Sequence, residues 1–255
     1  VARAAERRVG VLALTDHDTL DGLPEALAVA AEHGVRLVCG IELSVRSPSG
    51  SMHLLGYLPG PVPEPLAGRI GEIAAFRDRR NRLMVERLAE LGAPLAWEDV
   101  ARRGRGRIGR PHIADALVAA GHALDRGDAF ERWIGSGCPA YVSAGSIAPA
   151  DAVALVQASG GAAVIAHPGS LRLEPPELAT FVAGLVPAGL RGLEVYRADQ
   201  DPIEQNHLLG LCRRHGLVPT GGSDFHRVDP LAPDLGGAPP LPPDTVDRLF
   251  GPSSA

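Results

Sequence analysis

Short apolar runs in this chain repeatedly stop on a histidine or a carboxylate. Val9 to Leu14 leads into Thr15-Asp16-His17-Asp18, Leu37 to Ile41 into Glu42, and Ser51-Met52 into His53. Ala162 to Ala166 leads into His167-Pro168, and Leu217 to Thr220 into Gly221-Gly222-Ser223-Asp224-Phe225-His226. Runs of this length read as buried strands, each delivering a polar side chain at its carboxyl end. In a barrel of parallel strands that end is where active sites are built.

Helical patterns separate the strands. Leu23–His33 carries Pro24 near its start, and His33-Gly34 closes it; Arg214-His215-Gly216 closes a later helix in the same way. A cation in the last turn followed by glycine is ordinary helix termination, so His33 and His215 are assigned to capping. His122 and His207 are expected at the surface. Residues 60–67 read as a proline linker, followed by a helix from Arg69 to Leu91 that Gly92 ends. Arg102 to Gly109 reads as a loop, and Pro111 opens a helix through Ala120. Residues 68–148 are thus expected to be an all-helical insertion. Alternation resumes with helix 149–159, strand 162–166, helix 176–186, strand 191–196, helix 202–215 and strand 217–221. Beyond Val228 the chain is proline-rich and expected to be irregular, with 241–255 as a tail. No internal repeat is evident.

At 255 residues the chain is long enough for one barrel domain. All 25 basic residues are arginine, which with the abundant Ala, Gly and Pro reflects coding bias and says little about function. Three separated cysteines, Cys39, Cys138 and Cys212, fit a reducing, cytoplasmic setting. No apolar run approaches the roughly 18–20 residues that cross a bilayer. The net charge of −5 hides an asymmetry: residues 69–110 hold eleven arginines against six acids, and the remainder fourteen against twenty-four. A negative body suits cation binding, and a positive segment attracts an anionic substrate.

His17, Glu42, His53, His167, Asp224 and His226 form a candidate ligand set without cysteine. That set suits Mn, Fe or Zn in a hydrolytic role more than a closed structural zinc site. Ligands from several strand ends can hold two or three cations, which activate water and clamp a phosphate ester. No activated serine or phosphate-cradling glycine loop of the P-loop type is present. Each residue also has an ordinary reading: Asp16 or Asp18 could cap the following helix, and His53 could be a packing histidine. The six together at strand ends favour the metal reading.

The order T-D-H-D-T-x-x-G, G-x-E-x-S, H-L-L-G-Y, A-H-P and G-S-D-F-H resembles the PHP (polymerase and histidinol phosphatase) superfamily of phosphoesterases. The R-N-R, G-R-P-H-I-A and P-A-Y-V segments are most similar to its branch of RNase AM and 3′,5′-nucleotide bisphosphate phosphatases. The resemblance implies an α/β fold, a distorted (β/α)7 TIM-like barrel interrupted by a helical insertion. Residues 1–60 and 149–240 would form the barrel. Glu42, His53 and His167 would hold one metal, Glu42 would bridge to a second completed by Asp224, and His17 and His226 would serve a third. Asp16 would orient a ligand, and Asp16, His17, Asp224 and His226 would act in catalysis. Arg110 and His112 are the candidates for gripping a substrate phosphate. Mn2+ is the expected metal, with Zn2+, Fe2+ or Mg2+ as alternatives and up to three ions in all.

The substrate implied is a small phosphorylated nucleotide or a short RNA 5′ end; neither a membrane nor long duplex nucleic acid is expected as a partner. Family members begin with an H-x-H strand and an S-D-G aspartate that this sequence does not contain. The chain is therefore expected to be an amino-terminally truncated form lacking the first barrel strand. In that form metal would be held best at Glu42/His53/His167 and catalysis would be weak. Two alternatives stand beside this reading: a degenerate, non-catalytic PHP module, and a histidinol-phosphate phosphatase. Retention of all six ligands argues against the first, and the arginine-rich insertion against the second.

Overall fold

The computed structural model describes residues 1–46, 49, 52–60, 64–104, 108–142, 147–198, 200–228 and 233–251. It divides into two compact units, Val1–Ile70 with Ile147–Ala255, and Gly71–Ser146. The first is an α/β unit. Its strands are β1 (Val11–Leu14), β2 (Arg36–Val45), β3 (Met52–Leu58), β4 (Ala162–Ile165), β5 (Leu190–Tyr196) and β6 (Val218–Gly221). Among the described residues they form a six-stranded sheet in sequential order, strongly curled into a half-barrel.

Helices α1 (Ala2–Glu6) and α2 (Leu23–His33) flank β1. α7 (Pro149–Ala158), α8 (Pro175–Leu185), α9 (Pro202–His215) and α10 (Thr245–Phe250) accompany the later strands. Each of α7, α8 and α9 begins with proline, whose fixed φ and missing N–H suit a first helical turn. Gly34 and Gly216 close α2 and α9 in the left-handed conformation just after His33 and His215. His122 and His207, expected at the surface, are half-buried.

One departure from an all-parallel expectation matters for function. β1 and β2 are parallel, and so are β4, β5 and β6, but β3 runs antiparallel to both of its neighbours. Only six residues separate the end of β2 from the start of β3, and a parallel pair would require a crossover of a dozen or more residues. His53 therefore lies at the start of a strand, not at its carboxyl end. The reversal brings that start to the end of the sheet where β1, β4 and β6 finish. Glu42 is likewise not terminal, because β2 continues to Val45.

Register then assigns faces. Paired residues project to the same side of a sheet, and alternate residues to opposite sides. Glu42 pairs with Leu55, Leu55 with Val164, Val164 with Gly192, and Gly192 with Val218. On that side Leu55, Tyr57, Ala162, Val164, Ala166, Val218 and Leu249 pack as an apolar plug. Glu42, His53 and Glu194 share the face with the plug. Leu249 comes from α10, so the segment expected as an irregular tail contains a helix whose apolar side closes the core.

The second unit is helical. α3 (Glu64–Glu90) enters it, followed by α4 (Trp97–Gly104), α5 (Arg110–Ala119), α6 (Arg126–Ala129) and a π-helical turn at Phe130–Ile134. Met84, Leu88, Val100, Ile113, Leu117 and Ile134 bury in a core of its own. α3 starts at Glu64, inside the expected proline linker, whose residues 61–63 lie outside the described residues. α4 likewise reaches Gly104, within the expected arginine-rich loop; residues 105–107 of that loop lie outside the described residues, as does Ser51. No described helix is long and apolar enough to cross a membrane.

Candidate functional site

Each ligand candidate reaches the site by its own backbone route. Beyond β1 the chain keeps pairing with β2: Glu42 N–H donates to Asp16 O at 3.1 Å and Asp18 N–H to Glu42 O at 3.0 Å. His17 and Glu42 are thus bridged partners on one face. Asp18, which the sequence offered as a cap for the following helix, does not cap it: Gly22 holds that position. The buried Asp18 carboxylate accepts from Ser44 N–H (2.7 Å) and Ser44 Oγ–H (2.8 Å), fastening the T-D-H-D segment to β2.

Three donor atoms form a near-equilateral triangle. His53 Nδ1 lies 2.9 Å from Glu42 Oε1, His167 Nε2 lies 3.1 Å from the same oxygen, and the two nitrogens are 3.1 Å apart. Donors about 2.1 Å from one cation at right angles stand about 3 Å apart, so the triangle has the size of one face of a coordination shell. His167 Nδ1 meets Ser170 Oγ at 2.8 Å. If Nδ1 carries the proton, the Nε2 lone pair is left facing the triangle, the usual way a ligating histidine is oriented.

Glu42 offers its second oxygen, Oε2, 3.7 Å from His17 Nδ1. Donor atoms of His17, Glu42 and His53 all fall within 4.8 Å of one another. On the far side of His17, His226 Nε2 lies 3.3 Å from His17 Nε2, and His226 Nδ1 lies 3.6 Å from Asp224 Oδ1. All six candidates are therefore gathered in one continuous cluster. Side-chain exposure rises from 6% at Glu42 to 56% at His226, so the cluster is closed at the triangle and open at Asp224/His226. Asp16 stands at its edge, where burial holds its carboxyl above the ordinary value despite the nearby charge of His226.

The electrostatics match a cation site. Burial pushes the Glu42 carboxyl up, but hydrogen bonds from His167 and His53 and the charges of His17 and His53 outweigh it, and the group settles well below the carboxylate range. Burial lowers His167, and the Glu42 hydrogen bond and charge reverse that into a net rise. The backbone is unusual here too. Asp18, His167 and Asp224 have φ of 55°, 28° and 51°, three of the five positive-φ non-glycine residues described. Such conformations persist where surrounding structure over-determines them, and they cluster at functional sites.

Glu194 was not singled out from sequence. Its buried carboxylate accepts from His167 N–H at 2.7 Å and from Arg197 Nη1–H at 3.1 Å. Burial holds its carboxyl above the ordinary value despite both donors. Glu194 sits inside an apolar run, L-E-V-Y, that continues past it, so no run ending on a carboxylate marked it.

Arg110 and His112 belong to the helical unit. The Arg110 guanidinium lies 5.6 Å from the ring centroids of both Phe130 and Tyr141, within cation–π range. Burial lowers its pKa, and nearby Arg77 adds to the strain. His112, at the third position of α5, accepts from Gly109 N–H through Nδ1 at 3.0 Å, and burial lowers its pKa. That bond makes the neutral ring an Nε2–H donor.

Comparison with known proteins agrees with the geometry. No family model matches the chain. It is 34% identical over 233 residues to the 5′-3′ exoribonuclease Rnm of Salmonella typhimurium, covering 90% of this chain and 80% of that one. It is 34% identical over 246 residues to the 3′,5′-nucleoside bisphosphate phosphatase of Chromobacterium violaceum, covering 95% and 86%. A crystal structure from Bifidobacterium adolescentis, described as a metal-dependent phosphoesterase, superposes with a TM-score of 0.86 at 34% identity, over 98% of this chain and 88% of that one.

Proposed function

The chain belongs to the PHP family of metal-dependent phosphoesterases, and from that premise we propose that it hydrolyses phosphate esters of nucleotides. The substrates are 3′,5′-bisphosphonucleotides or the 5′ ends of short RNA. The observation that carries this reading is the donor triangle running on to an exposed Asp224/His226 pair, in a chain similar to a bisphosphate phosphatase over nearly its whole length. Residues 1–60 and 149–240 are read as a distorted (β/α)7 barrel, with 68–148 as its helical insertion and 241–255 as a tail segment that carries α10 back onto the core. A reducing, cytoplasmic setting fits the three unpaired cysteines.

Glu42, His53 and His167 would hold one cation, Glu42 and Asp224 a second, and His17 and His226 a third. Mn2+ suits this mixed imidazole and carboxylate set best, with Zn2+, Fe2+ or Mg2+ as alternatives. Bound there, cations supply an activated water near neutral pH and neutralise charge on the phosphoryl oxygens. Ser170 fixes the His167 tautomer, and Asp18 holds His17 beside Glu42. The exposed His226 and Asp224, with Asp16 at the rim, admit the ester. Within the helical unit, Arg110 with its forked donors and His112 through Nε2–H are read as the groups that grip a substrate phosphate.

The test is direct. The protein, stripped with a chelator and reloaded with Mn2+, is expected to release phosphate from a 3′,5′-bisphosphonucleotide or mononucleotides from short RNA. His167→Ala and Asp224→Ala are expected to abolish the release. Full activity in the stripped protein would overturn the reading.

A further inference from the structure

We propose that Glu194 is a positioning residue for the metal centre: it sets the His167 corner of the triangle by holding the backbone from which that imidazole hangs. Pro168 disfavours the α region for the residue before it, and His167 adopts φ 28°, ψ 68°. Ala166 N–H still donates to His53 O at 3.2 Å, as the last rung of the β3–β4 pairing. The next N–H, that of His167, points to the other side, toward β5, and there donates to Glu194 Oε2 at 2.7 Å, so a side chain holds the peptide just past the end of β4.

Glu194 can do this because of its place in the sheet. It pairs with Thr220 in register, projects to the same face as Glu42, and is 5% exposed. Arg197 Nη1–H holds the same Oε2 from the side at 3.1 Å. The other oxygen packs on the chain leading to Asp224: a Cβ at Gly222 would stand 3.3 Å from Glu194 Oε1. One carboxylate therefore spans the two turns that carry His167 and Asp224. A part-buried backbone N–H is costly to strand, so removing its acceptor frees His167 to leave its corner.

The inference rests on His167 being a metal ligand, and the experiment separates the two claims. Mn2+ dissociation constants are measured by chelator competition on purified protein, with thermal unfolding in EDTA recorded for each variant. Glu194→Ala is expected to bind Mn2+ about 10–100-fold more weakly, the usual cost of losing a group that orients a ligand. Its kcat should fall with KM changed less than about threefold. Glu194→Gln, which keeps an acceptor oxygen toward His167, is expected to stay within about threefold of wild type, as is Arg197→Gln. A folded Glu194→Ala protein with wild-type Mn2+ affinity overturns the proposal, and so does an Arg197→Gln protein as impaired as Glu194→Ala. If Glu194→Ala does not fold, Glu194→Asp decides. It keeps the charge but draws the oxygen back by one methylene, so wild-type affinity there also overturns the proposal. His167→Ala is run beside them: unchanged affinity in that variant refutes the ligand assignment itself.

Discussion

The two units of this chain each gather polar groups, and they do so by different physics. In the α/β unit the cluster is assembled from the ends and middles of separate strands; its most distant contacting pair, His17 and His226, is 209 residues apart in sequence. Strand pairing places His17, Glu42 and His53, and His167, Asp224 and His226 follow from the chain just past β4 and β6, with positive-φ backbone at Asp18, His167 and Asp224. In the helical unit Arg110 lies over Phe130 and Tyr141, and Arg82 over Trp97, all within residues 71–146 and beside a private core. The first arrangement concentrates charge that wants a cation. The second holds cations that want an anion. The difference implies that damage to one should be separable from damage to the other.

The largest effect should come from the triangle. Glu42→Ala removes the oxygen shared by His53 and His167, and a lost metal is worth several kcal/mol of transition-state stabilisation. Activity is expected to fall about a thousandfold or more at roughly 1.4 kcal/mol per decade. Elemental analysis should show less bound metal, while the fluorescence of Trp97 and Trp133 in the helical unit stays unchanged. Fluorescence that shifted with metal loss would break the comparison.

Core truncations sharpen it. Leu54 in β3 and Leu117 in α5 are both fully buried, so each change to alanine should cost about 2–5 kcal/mol in denaturant unfolding. Only Leu54→Ala should also weaken Mn2+ binding, because it loosens the strand that presents His53. Equal loss of metal affinity in Leu117→Ala would show that the units are not independent.

Arg110→Met comes next. Losing a hydrogen bond to a charged group is worth about 1.5–3 kcal/mol, so KM for a bisphosphonucleotide should rise about 10–100-fold. Turnover of a simple aryl phosphate should change little, and Mn2+ affinity not at all.

The smallest effect concerns pH. Arg3 and Arg7 both bind the Asp234 carboxylate, and hydrogen bonding to Arg3 lowers it from 3.8 to about 2. A depressed carboxylate stabilises the fold above its unfolded pKa, and that contribution is lost as pH falls through the folded one. Asp234→Asn should therefore slightly lower the melting temperature at pH 6, with the gap to wild type closing between about pH 4 and pH 2. A gap that persists at pH 2 would assign the effect to packing.

Much of the fold could be read from the chain. The period and length of the apolar runs marked β1, β4, β5 and β6, and proline and glycine punctuation marked α2, α7, α8 and α9. The six ligand candidates were visible because histidine and carboxylate are out of place at the end of a buried run. Residues whose work is done through the backbone left no such mark. Asp18 looks like a helix cap until Ser44 is beside it, and Glu194 sits inside a run that continues past it. α10 was missed because a short apolar segment among prolines has no meaning until β6 offers it a surface.

By itself, then, the sequence determined which side chains could ligate, which segments alternate as strand and helix, and which family's motifs they spell. These are local properties, set by propensity, periodicity and the chemistry of single residues. Only the tertiary structure decided the direction of β3, the pairing of Glu42 with His17 and the hold of Glu194 on the His167 peptide. Strand direction and register are settled between segments distant in the chain, by which faces can be buried together and which backbone groups must be satisfied. A run of residues read alone carries no information about its neighbour in the sheet, and it is that neighbour which makes a histidine a ligand.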